Sequence, residues 1–564
     1  MNHNVLAALE MVSAQTGVKV ALENQQLIVA GTIVDLPNAR QGSVAPHLKS
    51  ERAELLGIYG LLPTVPHGDD RDKLLWRVIA EAASDPDRKL LPDRVLLAEL
   101  PERLALSPEA SRAVTAALQE RFFNRERLLP VHASLPLNYE HTRLSARTQR
   151  YEAISYTMFN GGIMPFLLWN SDTGQPNASL IQSLLDTVAS DDELTALDAR
   201  FLSVAMQDAP RPHAKPDAAE LINKYQKDFA DAFRAAGGPF CEPSMALFER
   251  DLGTVLATEL PRPERARWLT LVISLHLCIR LYRIAVALGS ALDIAVASAS
   301  QIDAPAGVRL CTCSGRDIEQ LQRCPLAGAI QFRTGTGRFR PVRNGDGCRS
   351  AYQDVHRRRL LDMPATLVTR TLAARAWSAL EPQQDGQATD LAALARALQA
   401  DATLRQQHGA ACAAIAVLHH DAWRVGNATR EELERAGRTS QTRPGLHALR
   451  DEVRRSRSRS LRRQSTDVVN TLMSARSVTS GSLISLNGPS FGFFEIDEEL
   501  LLLLVRLVCH DRELPVEEFF RGLLAYGLAP QDDAERDDLT NTLERLGLLE
   551  RYSDAGEASF VHYA

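Results

Sequence analysis

Apolar positions along the chain recur mostly at three- and four-residue spacing, the period of a helix buried on one side. Leu74, Leu75, Val78, Ile79 and Ala82 show the pattern, which runs from about residue 49 to 208. Pro86, Pro92, Pro101, Pro108, Gly161, Gly162, Gly174 and Pro176 punctuate it. Ahead of it, residues 17–35 alternate apolar and polar around Glu23-Asn24-Gln25, which predicts a small hairpin with arms at 18–22 and 27–34. Residues 209–216, with three prolines, mark a boundary. Residues 217–300 predict two or three long helices, the last beginning after Pro261 and Pro263. Its apolar core at 268–297 carries His276, Arg280, Arg283 and Asp293. A lipid-facing helix tolerates such groups poorly, so the stretch predicts a buried helix of a soluble protein. Arg280 and Arg283 lie one turn apart and call for a buried carboxylate or a bound anion.

Helical periodicity is lost over 301–350 and returns from 351 to about 436, interrupted at 381–387, with Gly437 as a stop. Residues 437–490, rich in Arg, Ser and Thr, are expected to be loop-like. The C-terminal stretch is the clearest: helices at 495–508, 515–525 and 530–546, then a hairpin of 548–552 and 559–563. Pro515 and Pro530 open the second and third helices at the position where no amide is missed. Acids crowd the first turns of the third, as the helix dipole favours. Three helices and a two-stranded wing, with the run Leu543-Glu-Arg-Leu-Gly-Leu-Leu-Glu-Arg551, resemble a winged helix over residues 493–563. The resemblance implies fold only. The fold class expected is mainly α and multidomain. The segments are 1–48 (containing the hairpin), 49–208 (helical), 217–300 (helical core), 301–360 (irregular Cys/Arg-rich insert), 361–436 (helical), 437–490 (Arg/Ser-rich linker) and 491–564 (acidic, winged-helix-like).

Composition changes this picture little in total and much in distribution. The 564 residues are 45% hydrophobic and 24% charged, with a net charge of -6. That is an ordinary globular balance, with no overall excess that would mark a polyanion binder. Residues 495–564, however, hold seventeen acids and six arginines. Winged helices often contact DNA through the third helix. Here that helix carries Asp532, Asp533, Glu535, Asp537, Asp538 and Glu544, and a phosphate backbone would be repelled. The acidic unit is therefore expected to dock partner proteins.

Residues 309–359 show the opposite balance, eleven arginines against four acids, and residues 454–463 hold six arginines in ten positions. The candidate phosphate-binding residues for DNA or RNA are Arg333, Arg338, Arg340, Arg343, Arg349, Arg357, Arg358 and Arg359 in the first field. In the second they are Arg454, Arg455, Arg457, Arg459, Arg462 and Arg463. Phe332, Phe339 and Tyr352 are sparse company, so base stacking has little support. The chain has only seven lysines, none after Lys227, as expected of a GC-rich bacterial coding bias. That bias discounts any special choice of arginine over lysine.

Four of the eight cysteines, Cys311, Cys313, Cys324 and Cys348, lie inside the first arginine field. The first nine residues lack the features of a secretory signal, so a cytoplasmic location with reduced thiols is expected. Four thiolates suit a structural Zn²⁺ ion with no open coordination position. His356 is a possible substitute ligand; an iron–sulfur cluster and simple buried thiols are the alternatives. His419-His420-Asp421 is a poor catalytic candidate, because adjacent histidines face different sides of a helix. Tyr139-Glu140-His141 resembles a turn. No phosphate loop, nucleophile elbow or dinucleotide fingerprint occurs. The expectation is a non-enzymatic, nucleic-acid-binding and partner-docking subunit of a bacterial multi-protein system such as phage defence, with no membrane contact. The alternatives are a metal-dependent enzyme acting on nucleic acid and a scaffold without nucleic-acid contact.

Overall fold

The computed structural model describes residues 3–34, 168–189, 241–305, 313–334, 355–382, 391–423, 445–456 and 481–563, with short gaps, and brief stretches near 107–116, 142–153 and 219. The protein is mostly helical. At the N-terminus α1 (His3–Thr16) leads into the antiparallel meander β1 (Val20–Glu23), β2 (Gln26–Val29) and β3 (Thr32–Val34). The expected hairpin thus gains a second turn, where Ala30 (φ 52°) and Gly31 (φ 86°) reverse the chain in left-handed conformations. Short ladders follow: β4 (Thr142–Leu144) with β5 (Tyr151–Ala153), and β6 (Trp169–Asn170) with β7 (Gln175–Pro176). After them comes α2 (Ala178–Ala189).

The body is built around α3 (Glu242–Ala257) and the 39-residue α4 (Arg262–Ser300). By length and composition α4 could cross a membrane, yet 94% of its most apolar window is buried inside the protein. Its neighbours include α5 (Val355–Leu380) and α6 (Leu391–Ala400), whose Leu394 and Leu398 are buried. Next come α7 (Ala402–Trp423) and α8 (Gly445–Ser456). Helix α8 corrects the loop expected over 437–490. Leu446, Leu449 and Val453 recur at helical spacing and are buried, enough apolar contact to order a helix with arginines at its end.

The C-terminal unit contains β9 (Ile484–Asn487), β10 (Phe491–Ile496), α9 (Glu498–Cys509), β11 (Leu514–Pro515) and α10 (Val516–Ala525). It continues with β12 (Leu528–Pro530), α11 (Asp533–Arg545), β13 (Leu549–Tyr552) and β14 (Ala558–Val561). Asp497 caps α9 by accepting from Leu500 N–H, and Asp532 caps α11 by accepting from Glu535 N–H. One sheet has the order β11-β14-β13. A second has the order β12-β8-β10-β9, where β8 is Ile330–Thr334 from the Cys/Arg-rich segment. β8 runs parallel to both β10 and β12. The segment treated as an insert in the sequence therefore contributes a strand at the heart of a C-terminal sheet.

Candidate functional site

The most concentrated chemistry among the described residues is a buried polar junction where α3 and α4 meet the C-terminal unit. Its centre is Asp251, on the stripe of α3 that also buries Phe248, Leu252 and Val255. Its side chain is fully buried. One carboxylate oxygen, Oδ2, accepts from His276 Nε2 of α4 at 2.8 Å and from Tyr526 Oη, just past α10, at 2.7 Å. The other, Oδ1, accepts from Arg250 Nε at 3.0 Å and Nη2 at 2.9 Å. Arg250 Nη2 also donates to Tyr526 Oη at 3.0 Å and lies 3.4 Å from the Leu507 carbonyl. The carboxylate is thus saturated by donors from three helical regions, the condition under which a buried charge is tolerated.

Burial pulls His276 below its ordinary pKa; the opposing pull of Asp251 is smaller, and Arg283 and Arg250 add to the lowering. The imidazole is therefore neutral and donates its Nε2–H. Burial, and then the Asp251 charge, push Tyr526 well above the usual phenol value, so it stays a donor. His276 is sandwiched at its edges, 5.0 Å between ring centroids from Phe248 and 5.9 Å from Tyr526. At the rim, Thr254 Oγ1 lies 3.2 Å from His510 Nδ1.

Arg280 and Arg283 do not both turn to one carboxylate. Arg280 Nη1 donates to Ser244 Oγ at 3.0 Å and approaches the Cys241 carbonyl at 3.4 Å. Burial lowers its pKa to about 10. Arg283 Nη2 donates to the Ala525 carbonyl at the end of α10, a cation on the negative end of a helix dipole. Around this centre, Arg267–Glu499 at 3.2 Å and the Trp268–Tyr563 edge contact tie α4 to the same unit. Arg316–Glu249 at 2.7 Å ties α3 to the segment preceding β8.

The arrangement can hold an interface in one register. Asp251 and His276 are sealed from solvent, and Arg250 reaches the surface beside them. Sequence reasoning flags Arg280 and Arg283 but misses Asp251, Arg250 and Tyr526. The available signal is a carboxylate on the apolar face of α3.

The residues singled out from sequence are scattered. Arg333 sits in β8 and donates from Nε to Gln531 Oε1 at 2.7 Å. Arg454 of α8 pairs with Asp362 of α5 at 3.3 Å. Arg357, Arg358 and Arg359 fall in the first turns of α5 and Arg455 near the end of α8, with side chains outside the described set. Arg338, Arg340, Arg343, Arg349, Arg457, Arg459, Arg462 and Arg463 lie outside the described residues, as do Cys311, Cys348 and Tyr139–His141. Cys313 and Cys324 are half-buried, on either side of the short 318–323 turn of helix. Leu326 N–H donates to Cys324 Sγ at 3.2 Å. Among the described residues no group of three or more His, Cys, Asp or Glu is placed to hold a metal. His419, His420 and Asp421 lie on the last turns of α7, their side chains outside the described set.

The surface of the C-terminal unit is acidic. Asp532, Asp533, Asp537 and Glu544 are exposed on or beside α11, and Glu517 and Glu518 on α10. Most of the unit's arginines are already engaged: Arg536 with Glu517, Arg545 with Glu498, Arg551 with Glu544 and Arg506 with Asp511. Comparison with known protein families and with curated protein sequences finds no match.

Proposed function

We propose that the protein is a non-enzymatic cytoplasmic subunit. In this reading it docks partner proteins on its acidic C-terminal unit and contacts nucleic-acid phosphates through its arginine-rich segments. The observation that carries this reading is the mounting of the acidic unit. A surface of strong negative charge is held on the body by a saturated network in which the buried Asp251 meets Arg250, His276 and Tyr526. A rigidly presented charged face suits recognition of a basic partner surface. Sealing of the one carboxylate–imidazole–phenol cluster described favours a structural over a catalytic use of those groups. The order helix, strand, helix, strand, helix, two strands, with β14 between β11 and β13 and the short β12 paired with β8 instead, supports a winged helix, used here for protein contact.

Arg333 and Arg454 are engaged within the chain, so nucleic-acid contact rests on the other arginines, Arg338, Arg340 and Arg343 first among them. A Zn²⁺ ion on Cys311, Cys313, Cys324 and Cys348 would brace this segment. The amide aimed at Cys324 Sγ is the kind of contact that stabilises a thiolate. Anisotropy titrations with labelled DNA and RNA over a range of salt test the reading. Affinity should fall linearly in log–log form, and replacing Arg338, Arg340 and Arg343 by Ala should flatten the slope by about one unit per lost contact. Absence of salt-dependent binding would turn the reading to a pure protein scaffold. Metal analysis in reducing buffer tests the zinc, which Cys324→Ser should release.

A further inference from the structure

The parallel strands β10, β8 and β12 all end on the same side of their sheet. Ile496 pairs with Thr334, and Pro530 with Phe332. β10 runs directly into the acid-rich start of α9 (Asp497, Glu498, Glu499), and β12 into that of α11 (Asp532, Asp533, Glu535). Between them Thr334 ends β8, and the chain continues into residues 335–349, which hold Arg338, Arg340, Arg343 and Arg349 against one acid, Asp346. The Arg545–Glu498 ion pair brings the far end of α11 to the start of α9, so α11 crosses the ends of these strands. The basic segment thus leaves β8 at the strand ends that α11 crosses.

We infer that the outer face of α11 is a docking surface, and that its occupant is the chain's own segment 335–349. Reach is ample. α11 has 13 residues and is about 20 Å long. Arg343 lies nine residues beyond Thr334, which allows up to about 30 Å. Charge is complementary. Asp533 and Asp537 are exposed one turn apart, and the neighbouring Arg536 already pairs with Glu517. The inference rests on the proposed nucleic-acid role of these arginines and deepens it: the acidic face and a phosphate backbone compete for the same guanidinium groups.

The test uses the full chain with Asp533→Asn, Asp537→Asn and Asp538→Asn combined. A control of equal charge change carries Glu10→Gln, Glu23→Gln and Glu259→Gln. Tryptic cleavage after Arg338 and Arg343, mapped by mass spectrometry in low salt, should be about tenfold faster in the first variant than in the parent or the control. At about 1 M salt, where the Debye length is ~3 Å, the parent should match the variant. Equal cleavage of parent and variant in low salt, or equal acceleration in the control, overturns the docking. A labelled single-stranded DNA should bind the variant about tenfold more tightly than the control, as competition for the same charges requires. Faster cleavage with no DNA binding by any form would uphold the docking and reject the nucleic-acid role.

Discussion

Asp251 receives four hydrogen bonds inside the protein, and its removal strands their donors. Asp251→Ala is expected to cost about 3–5 kcal/mol, since Arg250 loses its partner and His276 and Tyr526 keep buried polar hydrogens. Tyr526→Phe keeps the shape, loses one donor and should cost about 1–3 kcal/mol. Urea unfolding of both variants checks the order; equal effects would show that the charge at Asp251 is not the organising group. A second buried histidine gives a pH signature. His408 of α7 donates from Nε2 to the Ala373 carbonyl at 3.0 Å, and burial lowers its pKa from 6.5 to about 4. Between those values the unfolded chain binds a proton that the native state refuses. Stability is therefore full above pH 6.5, falls as pH drops through the window, and levels off below about 4. His276 titrates in the same direction. His408→Gln can keep the bond without the proton, so the stability lost between neutral pH and about pH 5 should shrink by about 2 kcal/mol. An unchanged pH slope in chemical denaturation would mean that His408 is charged in the folded protein.

Among elements, the crossing of α7 and α8 is set by two glycines. A Cβ on Gly445 would lie 1.7 Å from the Gly409 carbonyl oxygen, so the backbones meet with no room for a methyl group. Gly445→Ala should force the helices apart and cost about 2–3 kcal/mol or more. Gly253, inside α3, has open space where a methyl group would stand, with nothing within 4 Å, and Gly253→Ala should stabilise by up to ~1 kcal/mol. Thermal melts of the two variants should therefore move in opposite directions. The same scale shows what a sequence can convey. Local periodicity predicts the C-terminal helices at 495–508, 515–525 and 530–546; they form at Glu498–Cys509, Val516–Ala525 and Asp533–Arg545. Each carries its own apolar stripe and its own stop. α8 is legible too, in Leu446, Leu449 and Val453, but its arginines and the Ser/Thr-rich tract beyond it hide the stripe. β8 is not legible: Ile-Gln-Phe-Arg-Thr is five residues, and its partners lie far along the chain. Parallel pairing of that range leaves no local mark. For the junction, Arg280 and Arg283 are conspicuous in an apolar helix, whereas Asp251 becomes a centre only when α4 and Tyr526 are brought against α3.

At the scale of the molecule, the contrast between a basic middle and an acidic end is visible in the sequence, but their interleaving is not. A tail joined by a linker could be removed without harm to the body. Here β8 would lose both its neighbours, β10 and β12, leaving the buried Ile330 and Phe332 uncovered. Asp251 would lose Tyr526, Arg283 would lose the Ala525 carbonyl, and Tyr282 would lose its edge contact with Phe494. Several buried side chains and a central strand stranded together exceed the roughly 5–15 kcal/mol that separates a folded domain from its unfolded chain. A chain ending at residue 480 is therefore expected to aggregate when expressed alone, and residues 481–564 to lack a strand of their sheet. Co-expressed, the two pieces should co-purify as one particle, because the junction and the β8 pairing need no covalent link between them. Size-exclusion chromatography of each piece and of the pair separates the cases. A soluble, cooperatively unfolding 1–480 fragment would show that the acidic unit is an appendage and that the Asp251 network is incidental to the body's stability.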